Sequence, residues 1–305
     1  MEAIKWDGKT VAKPGIYAGI PLETYHSQWI LDGPSVSSTG LRRVLEINGG
    51  SPAHFFDTWS GNPDAADEPD KAHFALGRAC HFLFLEGAKR GDAFSQYFVI
   101  RPDAFPDYRT AASRAWRDNA IALGKTPLTD EQVEAITGMA KRIAVDPLAV
   151  NLLRGDIERS MFWRDKKTGL WCKARPDSLP NDSGDFADLK TTTRTSFPLL
   201  MHSVGTCAYH QQAALIREGS ATVLGLGMTS FSLVFVESKR PYCVRVAVLD
   251  VSDIDLGHRQ NRMALDLIAK CIHEKRWPGP GDGHIVTMPL TDKYRDAAAA
   301  AEQQQ

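Results

Sequence analysis

"RPDSLPNDSGDFADLKTT", residues 175 to 192, is the stretch on which the fold turns. Pro180, Asn181, Asp182, Ser183 and Gly184 are turn formers, and they separate two short runs that read as strands. Residues two apart in a strand share a face, so Asp188 and Lys190 point one way while Leu189 points into the opposite layer. If the turn lays strand 170–177 beside strand 185–190, Asp177 approaches Asp188 from its neighbour. Two carboxylates and a lysine then meet at one end of a sheet. Close carboxylates repel unless a cation sits between them. Hard oxygen donors with few protein contacts suit Mg²⁺, which keeps several waters and bridges to phosphate.

A surface hairpin with an ion pair is the better explanation of the stretch when it is taken alone. Asp/Glu-x-Lys recurs at 165–167 and 237–239, and the dipeptide Pro-Asp occurs five times, so neither piece is specific. Context separates them. Asp165 lies in a Lys/Gly turn and Glu237 runs into Lys-Arg-Pro, whereas Asp188 sits in an apolar-flanked strand one hairpin after Asp177.

Outward from the hairpin, "SMFWRD", "GLWCKARPDSL" and "DFADLKTT" read as an antiparallel meander of three short strands. A helix is expected from about 197 to 218, then strands "MTSFSLVFVE" and "YCVRVAVLD", then an amphipathic helix from 252 to 275. Before the meander, "HFALGRACHFLFLEG" is apolar enough for a buried helix, and 102–155 reads as helical, with a capping box at Thr129 and Gln132. "GIYAGIPLETYHS" reads as extended, and Ser37 or Ser38 is placed to cap a short helix carrying Leu41, Val44 and Leu45. The order is that of a mixed α/β fold around one central sheet flanked by helices.

At 305 residues and 43% hydrophobic, the chain can bury a sizeable core. A formal net charge of −1 argues against a basic coat for nucleic acid and leaves room only for a local basic groove. No apolar run reaches the length of about 18 residues that a membrane span needs, and the N-terminus lacks a signal-peptide pattern, so a cytoplasmic protein is expected. The five cysteines are scattered and never form a CxxC pair, which speaks against a disulfide framework, a zinc knuckle or an iron–sulfur cluster.

Two further features bear on the hairpin. In "GRACH", Gly77 and His81 stand one helical turn apart, the glycine allowing close approach and the histidine available as a neutral metal ligand. In "YHQQAALI", Tyr209 and Gln212 share a helix face. A lone histidine beside Phe82 and Phe84 would ordinarily be a core residue, and Tyr and Gln on a helix ordinarily face water. Lys173 and Arg175 on the hairpin strand, Arg194 after the triplet, and Arg42 and Arg43 after the Ser37-Ser38 cap are candidate phosphate contacts. Ser38 is a candidate holder of a terminal phosphate.

In chain order, Gly77-x-x-x-His81, Asp177, Asp188-Leu189-Lys190 and a helix with Tyr209 and Gln212 resemble the PD-(D/E)XK nuclease superfamily. The set is most similar to its RecB-type branch, and within that to the exonuclease VIII (RecE-like) nuclease domain of phage and prophage recombination systems. The resemblance implies a restriction-endonuclease-like core with a metal held by His81, Asp177, Asp188 and the Leu189 carbonyl, and Lys190 as the catalytic lysine. It implies a Mg²⁺-dependent exonuclease, with Mn²⁺ able to substitute, digesting linear double-stranded DNA from the 5′ end in a bacterial host cell. A ring-shaped homo-oligomer and a single-strand annealing recombinase as partner are further implications. The RecB-type helix reads Gln-x-x-x-Tyr, whereas Gln212 is followed four residues later by Ile216, so Tyr209 and Gln211 are also candidates at that position. The resemblance divides the chain into one domain, 1–291, with an N-terminal extension 1–72, a helical insertion about 102–156 and a catalytic core about 73–101 and 157–277. A disordered tail is expected at 292–305. An endonuclease of the same superfamily and a non-catalytic DNA-binding module are the competing readings.

Overall fold

The computed structural model describes residues 2–27, 29–59, 61–65, 79–81, 83, 94–157, 159–180 and 183–303. The strands are β1 (Ile4–Lys5), β2 (Gly15–Ala18), β3 (Ser35–Val36), β4 (Phe98–Ile100), β5 (Thr126–Leu128), β6 (Asp156–Ile157), β7 (Ser160–Arg164), β8 (Trp171–Ala174), β9 (Ser178–Leu179), β10 (Asp185–Thr192), β11 (Ser230–Glu237) and β12 (Val244–Val248). The mixed α/β layout is as expected, but the strands divide between two five-stranded sheets instead of one. Their orders are β1-β2-β7-β8-β3 and β12-β11-β10-β9-β6, and β4 and β5 form a separate parallel pair. The expected three-strand meander breaks at Arg175-Pro176. Proline donates no hydrogen bond and bends the residue before it, so β8 ends at Ala174 and the chain re-enters the other sheet as β9.

β10 and β11 are parallel and buried on both faces. Phe186, Phe231, Leu233 and Phe235 face one layer, together with the helix Tyr209–Leu224. Ala187, Leu189, Val234 and Val236 face the other, against Ile136, Met139 and Ile143 of the helix Asp130–Ala144. A parallel pair requires a crossover, and here it runs through the helices Phe197–Thr206 and Tyr209–Leu224. This crossover lays the start of the second helix over the face that carries Asp188 and Lys190.

The expected helix 197–218 is thus two helices. Ala208 between them holds a left-handed conformation, φ 52 and ψ 43, at a cost of about 1–3 kcal/mol for a non-glycine residue. Two shorter corrections apply elsewhere. Leu22–His26, expected to be extended, is helical, and the tail expected to be disordered contains the helix Asp292–Glu302, none of whose residues is buried. The capping box at Thr129 and Gln132 is present, with Thr129 N–H donating to Gln132 Oε1 at 2.8 Å. The amphipathic helix spans Val251–Glu274 and is capped by Asp250. No described helix is long and apolar enough to cross a membrane. Of "HFALGRACHFLFLEG", Ala79, Cys80 and His81 are helical, while Gly77 lies outside the described residues.

Candidate active site

The register of the second sheet builds the site. Ser178 of β9 pairs with Ala187 of β10, so Asp177, one residue earlier, falls beside Asp188 and Leu189. Asp177 Oδ2 accepts a hydrogen bond from Leu189 N–H at 2.7 Å, and its Oδ1 lies 3.4 Å from His81 Nδ1. Asp188 is 1% exposed. Its Oδ1 accepts from Gln212 Nε2 at 2.8 Å, and its Oδ2 forms an ion pair with Lys190 Nζ. Lys190 Nζ also donates to Gln212 Oε1 at 3.1 Å and lies 4.7 Å from the centre of the Tyr209 ring. Gln212 therefore bridges the carboxylate and the ammonium, its amide donating to one and accepting from the other. Gln211 points elsewhere, into a buried contact with Asn261 and Asn48.

The electrostatics follow from burial. Desolvation pushes the Asp188 carboxyl up, the Asp177 charge adds to this, and Lys190 and His81 offset only part, so its pKa stands above the ordinary value. Burial also works against the Asp177 carboxylate, but His81, Lys190 and the Leu189 N–H outweigh it and the pKa falls below the ordinary value. For His81 and Lys190 burial disfavours the cation, yet the two aspartates raise both groups above their ordinary values. Burial pushes the Tyr209 phenol up to about 12, against the opposing pull of Lys190. Two carboxylates pushed apart in pKa beside a lysine held as an ammonium form a cluster suited to proton handling.

A family model for a PDDEXK-like domain of unknown function (DUF3799) matches residues 37–285. The chain belongs to this PDDEXK-like family. Its fold is shared by a crystal structure from Eubacterium rectale described as a candidate exonuclease, with a TM-score of 0.58 at 12% identity, covering 90% of this chain and 96% of that one. A crystal structure named SSO0001 aligns over 66% of this chain and 88% of its own at 13% identity, with a TM-score of only 0.28. No curated protein matches the chain.

The PDDEXK-like site offers donors suited to a hard divalent cation. Asp188 Oδ2 is buried and accepts no well-directed hydrogen bond, although Lys190 faces it. Asp177 carries a second carboxylate against the same strand. Among the described residues no three His, Cys, Asp or Glu side chains gather closely enough to hold an ion by themselves. The side chains present thus fit an ion that keeps much of its water, and they do not make a closed cage.

The basic residues expected to touch DNA are mostly committed inside this PDDEXK-like fold. Lys173 is buried at 6% exposure, donates to the Tyr25 carbonyl at 2.8 Å and lies over the Tyr25 ring; burial lowers its pKa to about 8. Arg175 donates to the Ile20 carbonyl at 2.9 Å and also lies over Tyr25. Arg42 donates to the Cys207 carbonyl at 2.9 Å. Through these contacts the three pin the N-terminal segment and the interhelical loop. Arg43 is hydrogen-bonded to Thr58. Ser38 opens a six-residue helix whose N-cap, Ser37, makes no side-chain capping bond. Arg194 is exposed beyond β10. Asn48 and Asn261, which hydrogen-bond Gln211 next to the site, carried no sequence signal: each is a lone amide in an unrelated segment.

Proposed function

We propose that the chain is a metal-dependent nuclease, and specifically an exodeoxyribonuclease of the RecE-like kind that digests linear double-stranded DNA from its 5′ ends. The observation that carries this reading is the ion pair of buried Asp188 with Lys190, bridged by Gln212, with Asp177 across from it. A fold kept only to bind DNA gains nothing from setting a second carboxylate beside a buried one, because both lose hydration and repel each other. The likeness to a protein described as a candidate exonuclease points the same way.

In this reading Asp177, Asp188, His81 and the Leu189 carbonyl would hold a divalent cation, Mg²⁺ or Mn²⁺. Bound there, such an ion supplies Lewis-acid polarisation of a phosphate and a water of lowered pKa. Lys190 is held as an ammonium by its two carboxylate neighbours, so it orients an attacking water or a phosphate oxygen by donation and stabilises the charge that develops. Gln212 fixes the direction of that ammonium, and the Tyr209 ring covers one side of it. Of the expected phosphate contacts Ser38, Arg42, Lys173, Arg175 and Arg194, Arg194 is the most exposed. Double-stranded DNA ends, a ring-shaped homo-oligomer, a single-strand annealing partner and a cytoplasmic setting belong to the same proposal.

The test is cleavage of linear duplex DNA by the purified chain with Mg²⁺, using covalently closed circles as the control. Nucleotide release from the linear substrate alone is expected, and it should vanish on Asp188→Ala and on Lys190→Ala in folded protein. Cutting of closed circles would replace the exonuclease with an endonuclease. Undiminished cleavage by both variants would sink the site.

A further inference from the structure

We infer that Gln211, Asn261 and Asn48 are positioning residues that set the first turn of the helix Tyr209–Leu224 and thereby hold Gln212 against Asp188 and Lys190. The inference rests on the nuclease reading of that site. It begins from a helix start that does not define itself. Ala208 is left-handed and supplies no side-chain cap, so the orientation of the first turn must be fixed from outside. Gln211 and Gln212 are consecutive, hence about 100° apart around the helix, and they face different layers. Gln212 reaches the sheet. Gln211 is fully buried and reaches the helix Val251–Glu274 instead.

On that second side, beside a bond between His210 Nε2 and Gln260 Oε1 at 2.7 Å, three amides interlock. Gln211 Nε2 donates to Asn261 Oδ1 at 3.2 Å, and Asn261 Nδ2 donates back to the Gln211 backbone carbonyl at 2.9 Å. Asn48 Nδ2 donates to Gln211 Oε1 at 2.8 Å and to the Arg42 carbonyl at 3.2 Å. One side chain is thus held at both ends, and the backbone at the same residue is held as well. Gly257 presses the two helices together at this point: a Cβ there would lie 2.4 Å from the His210 carbonyl oxygen. A rotation of the first turn that carried Gln212 off Lys190 would break three hydrogen bonds, two of them buried, so the network fixes the direction of the Gln212 amide. None of these three residues touches the reacting groups; they act through Gln212.

The test is a double-mutant cycle on duplex cleavage with Mg²⁺, comparing wild type, Asn261→Leu, Gln212→Ala and the double variant. Asn261→Leu should lower kcat about 10-fold with the KM for DNA ends unchanged, yet add less than about twofold in the Gln212→Ala background. Asn48→Ala, at the half-buried end of the network, should show the same pattern at about threefold with little change in melting temperature. That variant keeps the test open if Asn261→Leu does not fold. Losses that multiply in the double variant, or full kcat in both single variants, would overturn the inference while leaving the nuclease reading intact. A wild-type protein that cleaves no DNA overturns that reading and this inference with it.

Discussion

Lys190→Met is the perturbation that most directly probes the cluster. It removes the partner of Asp188, the donor to Gln212 and the cation over Tyr209, while keeping the length of the side chain. Asp188, its side chain 2% exposed, would then face Asp177 with no ammonium beside the two carboxylates. Removing one partner of a buried pair costs about 3–5 kcal/mol, because the other charge stays buried and unpaired. For a chain of this size that corresponds to a fall in melting temperature on the order of 10 °C. The loss should depend on pH, and its sign is fixed. Asp188 already stands above its unfolded value through burial and the Asp177 charge, and without Lys190 it rises further. A carboxyl raised in the folded state binds its proton more tightly when folded, so stability is lost as pH rises from its unfolded value, near 4, through its folded one. Thermal unfolding at pH 5 and pH 8 should show the variant closer to wild type at the lower pH. Adding Asp188→Asn to Lys190→Met should recover most of the difference at pH 8. A variant melting within about a degree of wild type at both pH values, or falling further behind at pH 5, would refute the account of a buried charge cluster.

Two further perturbations test the frame around the site. Asp165 is 5% exposed; burial works against its carboxylate, but Arg262, with Nη2 at 3.1 Å, and Thr168 bring its pKa down to about 2. A carboxylate held below its unfolded value contributes stability above about pH 4 and loses it as pH falls towards 2, so at most about 2 kcal/mol should disappear over that window and be absent from Asp165→Asn, read by acid titration of melting temperature. Gly257→Ala places a methyl 2.4 Å from the His210 carbonyl oxygen, which backbone must yield to, so a destabilisation of about 1–3 kcal/mol is expected in denaturant unfolding. Unchanged midpoints would show that the two helices are free to separate there.

The period-two alternation at 186–190 sufficed to place Asp188 and Lys190 on one face, because a strand buried on both sides has no freedom to twist a residue across the sheet. The capping box at Thr129 was legible for a related reason: its partners lie three residues apart. What the sequence hid were pairings set by distant segments. Lys173, Arg175 and Arg42 look like free cations, and their acceptors are backbone carbonyls 148, 155 and 165 residues away. A strand's sequence reports which face a lysine takes and is silent about what covers that face. The division into two sheets was hidden similarly, since Pro176 announces a break but not which strand the chain joins next.

Ile216, where the resemblance to the RecB-type branch implies a tyrosine, and Tyr209 have different surroundings in the structure. Ile216, four residues after Gln212, is 2% exposed and packs in the core, where a phenol would need a buried partner. Tyr209 lies three residues before Gln212, on the same face one turn nearer the helix start, and its ring is the one found over Lys190. The left-handed Ala208 starts the helix at Tyr209 itself, and Gln212 in the next turn reaches Asp188 and Lys190. The strain at Ala208 and the placement of the aromatic ring thus have one structural origin: a helix begun late enough for its first residue to reach the lysine.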